Sequence, residues 1–268
     1  MRYIKSFEND AAIQEAVDNK VLGKPYIALN ESAGTIDWNG KDIDPIYQYF
    51  TIESLESGNF YVKKANFGYS VNGGEWETTT GATSLSLNQG DKVRFKHIST
   101  ADGQVSNCFS GNTIQFIAYG NIESLEYGDD FIGQTKIKIS STSAGSGAFG
   151  YMFRNSTGLM NVENLKLPAT GGTSFCYSQM FWGCNQITKA PDILIDNLKS
   201  SGNVNVYHMF MGCSKLNYVK CLATQNTSIS LMDWLSGVSA TGTFVKVAGK
   251  SYKSGGSGIP TGWTVIEE

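Results

Sequence analysis

Short runs of alternating apolar and polar residues recur in the first half of the chain, and turn residues separate them. The runs at residues 67–71 and 92–97 have the period of two that is typical of β-strands with one buried face. The segment Asn72-Gly73-Gly74 indicates a tight hairpin, because an Asn-Gly step supplies the positive φ angles that such a turn needs. This spacing predicts a small β-sandwich-like domain over residues 45–110, with a core local to that range.

The first 44 residues combine a helical pattern with two strand-like runs. Asp10 is a suitable N-cap for a helix within residues 8–20, where apolar residues recur with helical spacing. Residues 24–30 and 35–38 predict two short strands around a Ser-Ala-Gly turn. Together these elements predict a small N-terminal α+β module over residues 1–44.

A repeat is the strongest pattern in the second half of the chain. The dipeptide Met-Phe recurs at residues 152, 180 and 209, so successive copies begin 28 and 29 residues apart. In each copy the Phe is followed, at steps of three, by Cys or Ser, then Leu or Ile, then Val or Ala: Phe153/Ser156/Leu159/Val162, Phe181/Cys184/Ile187/Ala190 and Phe210/Cys213/Leu216/Val219. A period in the twenties with fixed apolar positions is a leucine-rich-repeat signature, in which each unit buries its apolar face against its neighbours.

Weaker copies flank the three clear ones. Residues 121–125 predict a strand that leads into the array, and residues 234–246 keep part of the pattern but lose the Met-Phe pair. Terminal repeats are expected to be atypical because their outer faces meet water. The sequence therefore predicts a leucine-rich-repeat array over residues 111–246, a C-terminal end piece over residues 247–268, and a mainly β (α+β) fold class.

The Phe-x-x-Cys-x-x-Leu-x-x-Val pattern resembles the BspA-like leucine-rich repeats of bacterial surface antigens. The segments Met-Phe-Trp-Gly-Cys at 180–184 and Gly-Ile-Pro-Thr-Gly-Trp-Thr-Val at 258–265 are similar to segments in proteins of Bacteroides-type gut bacteria and of their phages and prophages. The opening segments at residues 2–7 and 24–28 resemble the small N-terminal module of tail-associated phage proteins from that group. With three clear repeats, this array is shorter than long BspA-like arrays.

The resemblance implies two functions, and the sequence leaves both open. The first is a phage or prophage tail-associated host-recognition component, in which residues 1–44 attach or assemble and the repeats face outward. The alternative is a bacterial cell-surface adhesin that binds host glycan or protein. Both imply a cell-surface glycan or protein as partner, and the first adds phage tail components and a homo-oligomer. The implied location is the virion or the extracellular cell surface.

Charge and hydropathy argue against other partners. The formal net charge is −3, residues 1–110 carry 10 basic against 14 acidic side chains, and residues 111–268 carry 11 against 10. Neither half offers the basic surface that nucleic-acid binding requires. The longest apolar runs have only four residues, so we expect no membrane insertion, and no signal peptide is visible in this chain.

The chain has five cysteines, an odd number whose spacing fits neither a disulfide framework nor a zinc site: Cys108, Cys176, Cys184, Cys213 and Cys221. Free cysteine behaves mostly as a small hydrophobic residue. We therefore expect buried, reduced thiols, with Cys184 and Cys213 stacked in successive repeats.

Candidate catalytic chemistry is sparse. Glu75 and Glu77 flank a hairpin turn, where we expect solvated carboxylates rather than the paired carboxylates of a glycosidase cleft. Two isolated histidines, His97 and His208, cannot build a His-rich metal site or a nucleophile–base pair, and His208 occupies a turn position of its repeat. Residues 145–150 match the dinucleotide fingerprint formally but run into a repeat rather than a helix. The sequence predicts no enzyme, no catalytic residues, no metal site and no cofactor.

A ligand of the array is expected on the concave face of the repeat strands, where residues between the inward apolar positions point to solvent. The candidate ligand-binding residues on this face are Asn161, Glu163, Lys189, Tyr218 and Lys220. The alternative interpretation is an inert solvated face that binds nothing.

Overall fold

The computed structural model describes the backbone of residues 4–7, 27–30 and 35–38, and the backbone and side chains of residues 48–98, 105–138, 147–168, 175–195, 198, 205–224 and 231–268. Strands make up 32% of the described residues and helices 4%, which confirms the mainly β fold class. No helix within these ranges has the length and apolar character needed to span a membrane. The helix predicted within residues 8–20 lies outside the described residues.

Three strands near the N-terminus form a mixed sheet. β1 (Ile4–Phe7) pairs in parallel with β2 (Ile27–Asn30), and β2 pairs in antiparallel with β3 (Thr35–Trp38). β2 and β3 fall on the two strands predicted from the sequence, so the strand part of the N-terminal pattern is confirmed.

Seven strands follow in the next part of the chain: β4 (Phe50–Ser54), β5 (Gly58–Val62), β6 (Phe67–Val71), β7 (Glu77–Thr78), β8 (Thr83–Leu87), β9 (Lys92–His97) and β10 (Phe116–Asn121). β5 and β8 form an antiparallel pair, while the other five lie in a larger sheet in the order β10-β4-β9-β6-β7. The predicted hairpin joins β6 to β7. Asn72 and Gly73 have φ angles of 52° and 77°, and the Gly74 N–H donates to the Val71 carbonyl at 2.9 Å.

The remaining strands are β11 (Leu159–Asn161), β12 (Leu165–Lys166), β13 (Tyr218–Cys221), β14 (Gly242–Lys246) and β15 (Trp263–Glu267). β11 and β12 pair in parallel with β10, and β13, β14 and β15 form a parallel three-stranded sheet. A short helix, α1 (Ser124–Tyr127), follows β10 and runs into a single 3-10 turn. The strand expected over residues 121–125 is therefore wrong, because β10 ends at Asn121 and the chain turns into α1.

The larger sheet crosses the boundary predicted between residues 110 and 111. β10 pairs with β4 on one side and with β11 on the other. The aromatic core crosses it as well, because the Phe153 ring centroid lies 6.0 Å from those of both Phe50 and Phe109. The expectation of a core local to residues 45–110 is therefore wrong. Phe109 packs against the first repeat phenylalanine and joins the two regions.

The Met-Phe segments stack through a ladder of backbone hydrogen bonds, which we call the turn ladder. The N–H groups of Phe153, Phe181 and Phe210 donate to the carbonyls of Met180, Met209 and Trp234 at 2.9, 2.9 and 2.8 Å. The rings of Phe153 and Phe181 are 5.5 Å apart and 10° from parallel, and those of Phe181 and Phe210 are 5.2 Å apart and 3° from parallel. The three segments aligned from the sequence therefore lie in register.

A column of small hydrogen-bond donors lies beside these rings. Ser156 Oγ, Cys184 Sγ and Cys213 Sγ donate to the carbonyls of Phe109, Phe153 and Phe181 at 2.9, 3.0 and 3.1 Å. Next to this column, Gly183 has a φ of 77°, and a Cβ there would lie 2.4 Å from Asn155 Oδ1. All five cysteines are buried and free of disulfides, as predicted, and burial raises the pKa of Cys184 to about 12.

C-terminal residues cover the last segment of the turn ladder. The N–H groups of Leu231 and Leu235 donate to the carbonyls of Ser257 and Gly256 at 2.8 and 3.0 Å. Trp234 is fully buried, and its Nε1 donates to the Gly258 carbonyl at 2.7 Å. The segment at residues 254–258 therefore covers the end of the stack.

Candidate functional site

The five candidate ligand-binding residues come from successive segments of the repeat region. Asn161 ends β11, and Glu163 follows two residues later. Lys189 forms an isolated parallel bridge with Tyr218, the first residue of β13, and Lys220 lies two residues further along that strand. Because alternate residues of a strand share a face, Tyr218 and Lys220 point to the same side. We call these five residues the polar strip.

Four members of the polar strip are in contact with one another. The Glu163 N–H donates to Asn161 Oδ1 at 2.8 Å, and Lys189 Nζ lies 3.1 Å from Glu163 Oε2. Lys189 Nζ also lies 5.2 Å from the centroid of the Tyr218 ring, within the range of a cation–π contact. Lys220 is not part of this chain of contacts, and its Nζ instead pairs with Glu268 at 2.8 Å.

These contacts set the charge of the strip. The hydrogen bond from Lys189 lowers the pKa of the Glu163 carboxyl, and the hydrogen bond to Glu268 raises the pKa of Lys220. Glu163 and Lys220 are therefore ionised at neutral pH. The side chains of Lys189 and Glu163 remain 45% and 37% exposed, so a ligand has direct access to their charges.

The strip presents charged, polar and aromatic groups that can contact a ligand. It offers two ammonium groups, a carboxylate, an amide and one aromatic ring, which together suit the hydroxyls and flat faces of a saccharide or the side chains of a protein. Among the described residues, no group of three or more His, Cys, Asp and Glu side chains could hold a metal ion. Glu75 and Glu77 are both exposed, as expected for solvated carboxylates.

Sequence reasoning missed a second cluster, which is formed by side chains of the segments that the turn ladder joins. The Arg154 guanidinium carbon lies 4.2 Å from the Trp182 ring centroid and 5.0 Å from that of Tyr151. The rings of Trp182 and His208 also form a T-shaped contact, with 5.8 Å between their centroids. Trp182 aligns with Arg154 and Met211 in the other repeats, so the repeat pattern did not predict whether Trp182 is buried. In the structure it lies half-buried at the surface. His208 has a φ of 50°, which confirms its turn position.

The cluster was detectable in principle. Arg154 and Trp182 occupy the same offset after Met-Phe in successive repeats, and residues at one offset become neighbours once the repeats stack in register. The same offsets that align the core phenylalanines therefore place Arg154 beside Trp182 at the surface.

Comparison with known proteins finds no match: no family model, no curated protein and no solved structure is similar to this chain.

Proposed function

We propose that the chain is a non-enzymatic recognition protein, a phage or prophage tail-associated host-recognition component that binds a cell-surface glycan or protein. In this proposal the stacked segments are a short BspA-like leucine-rich-repeat array, and residues 45–110 are a β-sandwich-like region whose core continues into that array. The in-register phenylalanines and the donor column of Ser156, Cys184 and Cys213 support the repeat assignment.

The observation that carries the binding function is the contact chain of the polar strip. Residues from three segments, far apart in sequence, meet there: Asn161 and Glu163 from the first, Lys189 from the second and Tyr218 from the third. An inert solvated face needs no such convergence. Charged and aromatic side chains gathered at one exposed place are typical of a recognition surface.

The assignment to a phage tail rests on the sequence resemblance. It implies attachment through residues 1–44, a homo-oligomer and a location on the virion or outside the cell. A surface adhesin would use the same polar strip against host cells instead. The type of cell that the chain binds therefore separates the two functions.

Binding of the fluorescently labelled chain to intact gut Bacteroides-type cells and to mammalian epithelial cells tests the proposal by flow cytometry. We expect binding to the bacterial cells, and a loss of about 10-fold or more in affinity for Lys189→Ala and Tyr218→Ala, since central contacts of an interface contribute about 1–4 kcal/mol. Lys253→Ala, which removes an exposed lysine outside the strip, is the matched control. Binding that both strip variants retain would overturn the assignment of the site.

The non-enzymatic part has its own test. The full chain is incubated with a panel of polysaccharides, and reducing ends are measured over time. We expect none to be released. Sustained turnover that Glu75→Gln or Glu77→Gln abolishes would overturn this part of the proposal.

A further inference from the structure

Arg94 lies at the centre of the larger sheet but outside its core. It belongs to a row of directly paired residues, Tyr119, Thr51, Arg94 and Ser70, which crosses β10, β4, β9 and β6. Its neighbour Val93 is fully buried in the core, so the Arg94 row faces the opposite side of the sheet. Arg94 is nevertheless only 7% exposed.

Two aromatic side chains account for this burial. The Trp76 ring centroid lies 5.3 Å from the Arg94 guanidinium carbon. Tyr49 meets the Trp76 ring edge-on, with 5.3 Å between centroids. The guanidinium therefore packs beside aromatic side chains, and the residue keeps only a small exposed surface.

The Arg94 guanidinium has too few partners for a buried cation. Nη2 donates to Ser70 Oγ at 3.0 Å, but Nε and Nη1 are buried and have no hydrogen-bond partner among the described residues. No carboxylate in the described part of the chain forms an ion pair with Arg94. Arginine cannot relieve this situation by losing its proton, and buried polar groups in folded proteins nearly always have partners.

Two acidic groups that meet this face of the sheet already pair with other cations. Glu53 pairs with Lys92 at 3.6 Å. Asp129 pairs with Lys96 at 2.9 Å and accepts a hydrogen bond from the Tyr49 hydroxyl at 2.6 Å. Each of these carboxylates therefore has a cation of its own, and Arg94 is in no ion pair within the described part of the chain.

A cavity of about 500 Å³ opens at Arg94. Arg94 lines it together with Tyr49, Tyr119, Thr51, Asn72 and Lys92. Its volume lies within the range of about 300–1,000 Å³ that is typical of small-ligand sites. Aromatic walls with a few polar groups suit a sugar ring, whose faces pack on aromatic rings while its hydroxyls form hydrogen bonds.

We propose that this cavity binds a singly charged acidic saccharide, with its carboxylate or sulfate group on Arg94 and its ring between Tyr49 and Tyr119. One negative charge is enough to pair with Arg94, and an anionic oxygen would give its guanidinium an acceptor that it lacks among the described residues. This site shares no residue with the polar strip, so either proposal can fail without the other.

Isothermal titration calorimetry on the full chain tests the site with glucuronic acid, galacturonic acid and a sulfated hexose. The methyl ester of glucuronic acid serves as the uncharged isostere, and acetate and inorganic sulfate serve as anions without a sugar ring. We expect at least one acidic sugar to bind about 10-fold or more tightly than the ester, since hydrogen bonds to charged groups contribute at least a factor of this size. Preference for the carboxylate or for the sulfate sugar identifies the anion.

Arg94→Gln is expected to abolish that preference, while Lys253→Gln, which removes an exposed lysine outside the cavity, leaves it unchanged. If Arg94→Gln fails to fold, the comparison of acid and ester on the unaltered chain still decides the question. Equal affinity for acid and ester, no binding of any acidic sugar, or equally tight binding of acetate or sulfate alone would overturn the proposal.

Discussion

Replacing Trp234 with alanine tests whether the C-terminal residues cap the stack. Trp234 is fully buried, its ring centroid lies 6.0 Å from that of Phe244, and its Nε1 donates to the Gly258 carbonyl. Truncation of a buried aromatic residue costs about 3–5 kcal/mol, because transfer energy is lost and a cavity remains. Since a typical domain is stable by about 5–15 kcal/mol, the free energy of unfolding should fall by a large fraction.

Urea denaturation followed by circular dichroism measures this loss without relying on tryptophan fluorescence. Trp234→Phe keeps most of the ring but leaves the Gly258 carbonyl without its donor, so we expect an intermediate loss of about 1–3 kcal/mol. Tyr61→Ala, at a side chain that is 48% exposed, should change stability by no more than about 0.5 kcal/mol. A loss below about 1 kcal/mol for Trp234→Ala would refute the capping role.

Three further predictions follow from the described contacts. Thiol titration should label Cys184 and Cys213 only on unfolding, because burial raises the pKa of both thiols; rapid labelling would contradict the stacked column. Burial, with Glu126 nearby, raises the pKa of Glu123 from 4.5 to about 8. The contribution of Glu123 to stability is therefore present below pH ~4.5 and is lost as the pH rises through ~8. The melting temperature should fall over this pH range, and it should fall less in Glu123→Gln. A fragment of residues 1–110 should show no cooperative melt, because it lacks β10 and Phe153.

The repeat alignment was predictable because its signal is local and recurs. Phe153, Phe181 and Phe210 stand at nearly constant intervals, and apolar residues at one offset must stack if each unit is to bury its face. The hairpin at Asn72 and Gly73 was predictable for a similar reason, since the turn chemistry lies within two residues. The contacts of the polar strip then follow from the same alignment.

The features that the sequence did not reveal depend on contacts between residues that are far apart in the chain. The segment around Phe109 joins the turn ladder through a hydrogen bond to Met152 at 3.0 Å, yet it lacks the Met-Phe pair and lies 44 residues before Phe153 instead of 28 or 29. The pairing of β10 with β4 leaves no trace in local periodicity. From the sequence, Arg94 is an ordinary outward-facing residue of a strand. Only the structure shows that two of its guanidinium nitrogens have no partner among the described residues.

The pairing of β4 with β10 has a mechanical consequence. Because one hydrogen-bonded sheet holds both the Arg94 row and the strand that pairs with β11, no flexible linker separates the cavity from Asn161 at the start of the polar strip. A polymer that reached both places would meet them at a fixed spacing, so its second contact would be intramolecular and sensitive to the length of its repeating unit. The sheet would then select polymers by the distance between their charged groups.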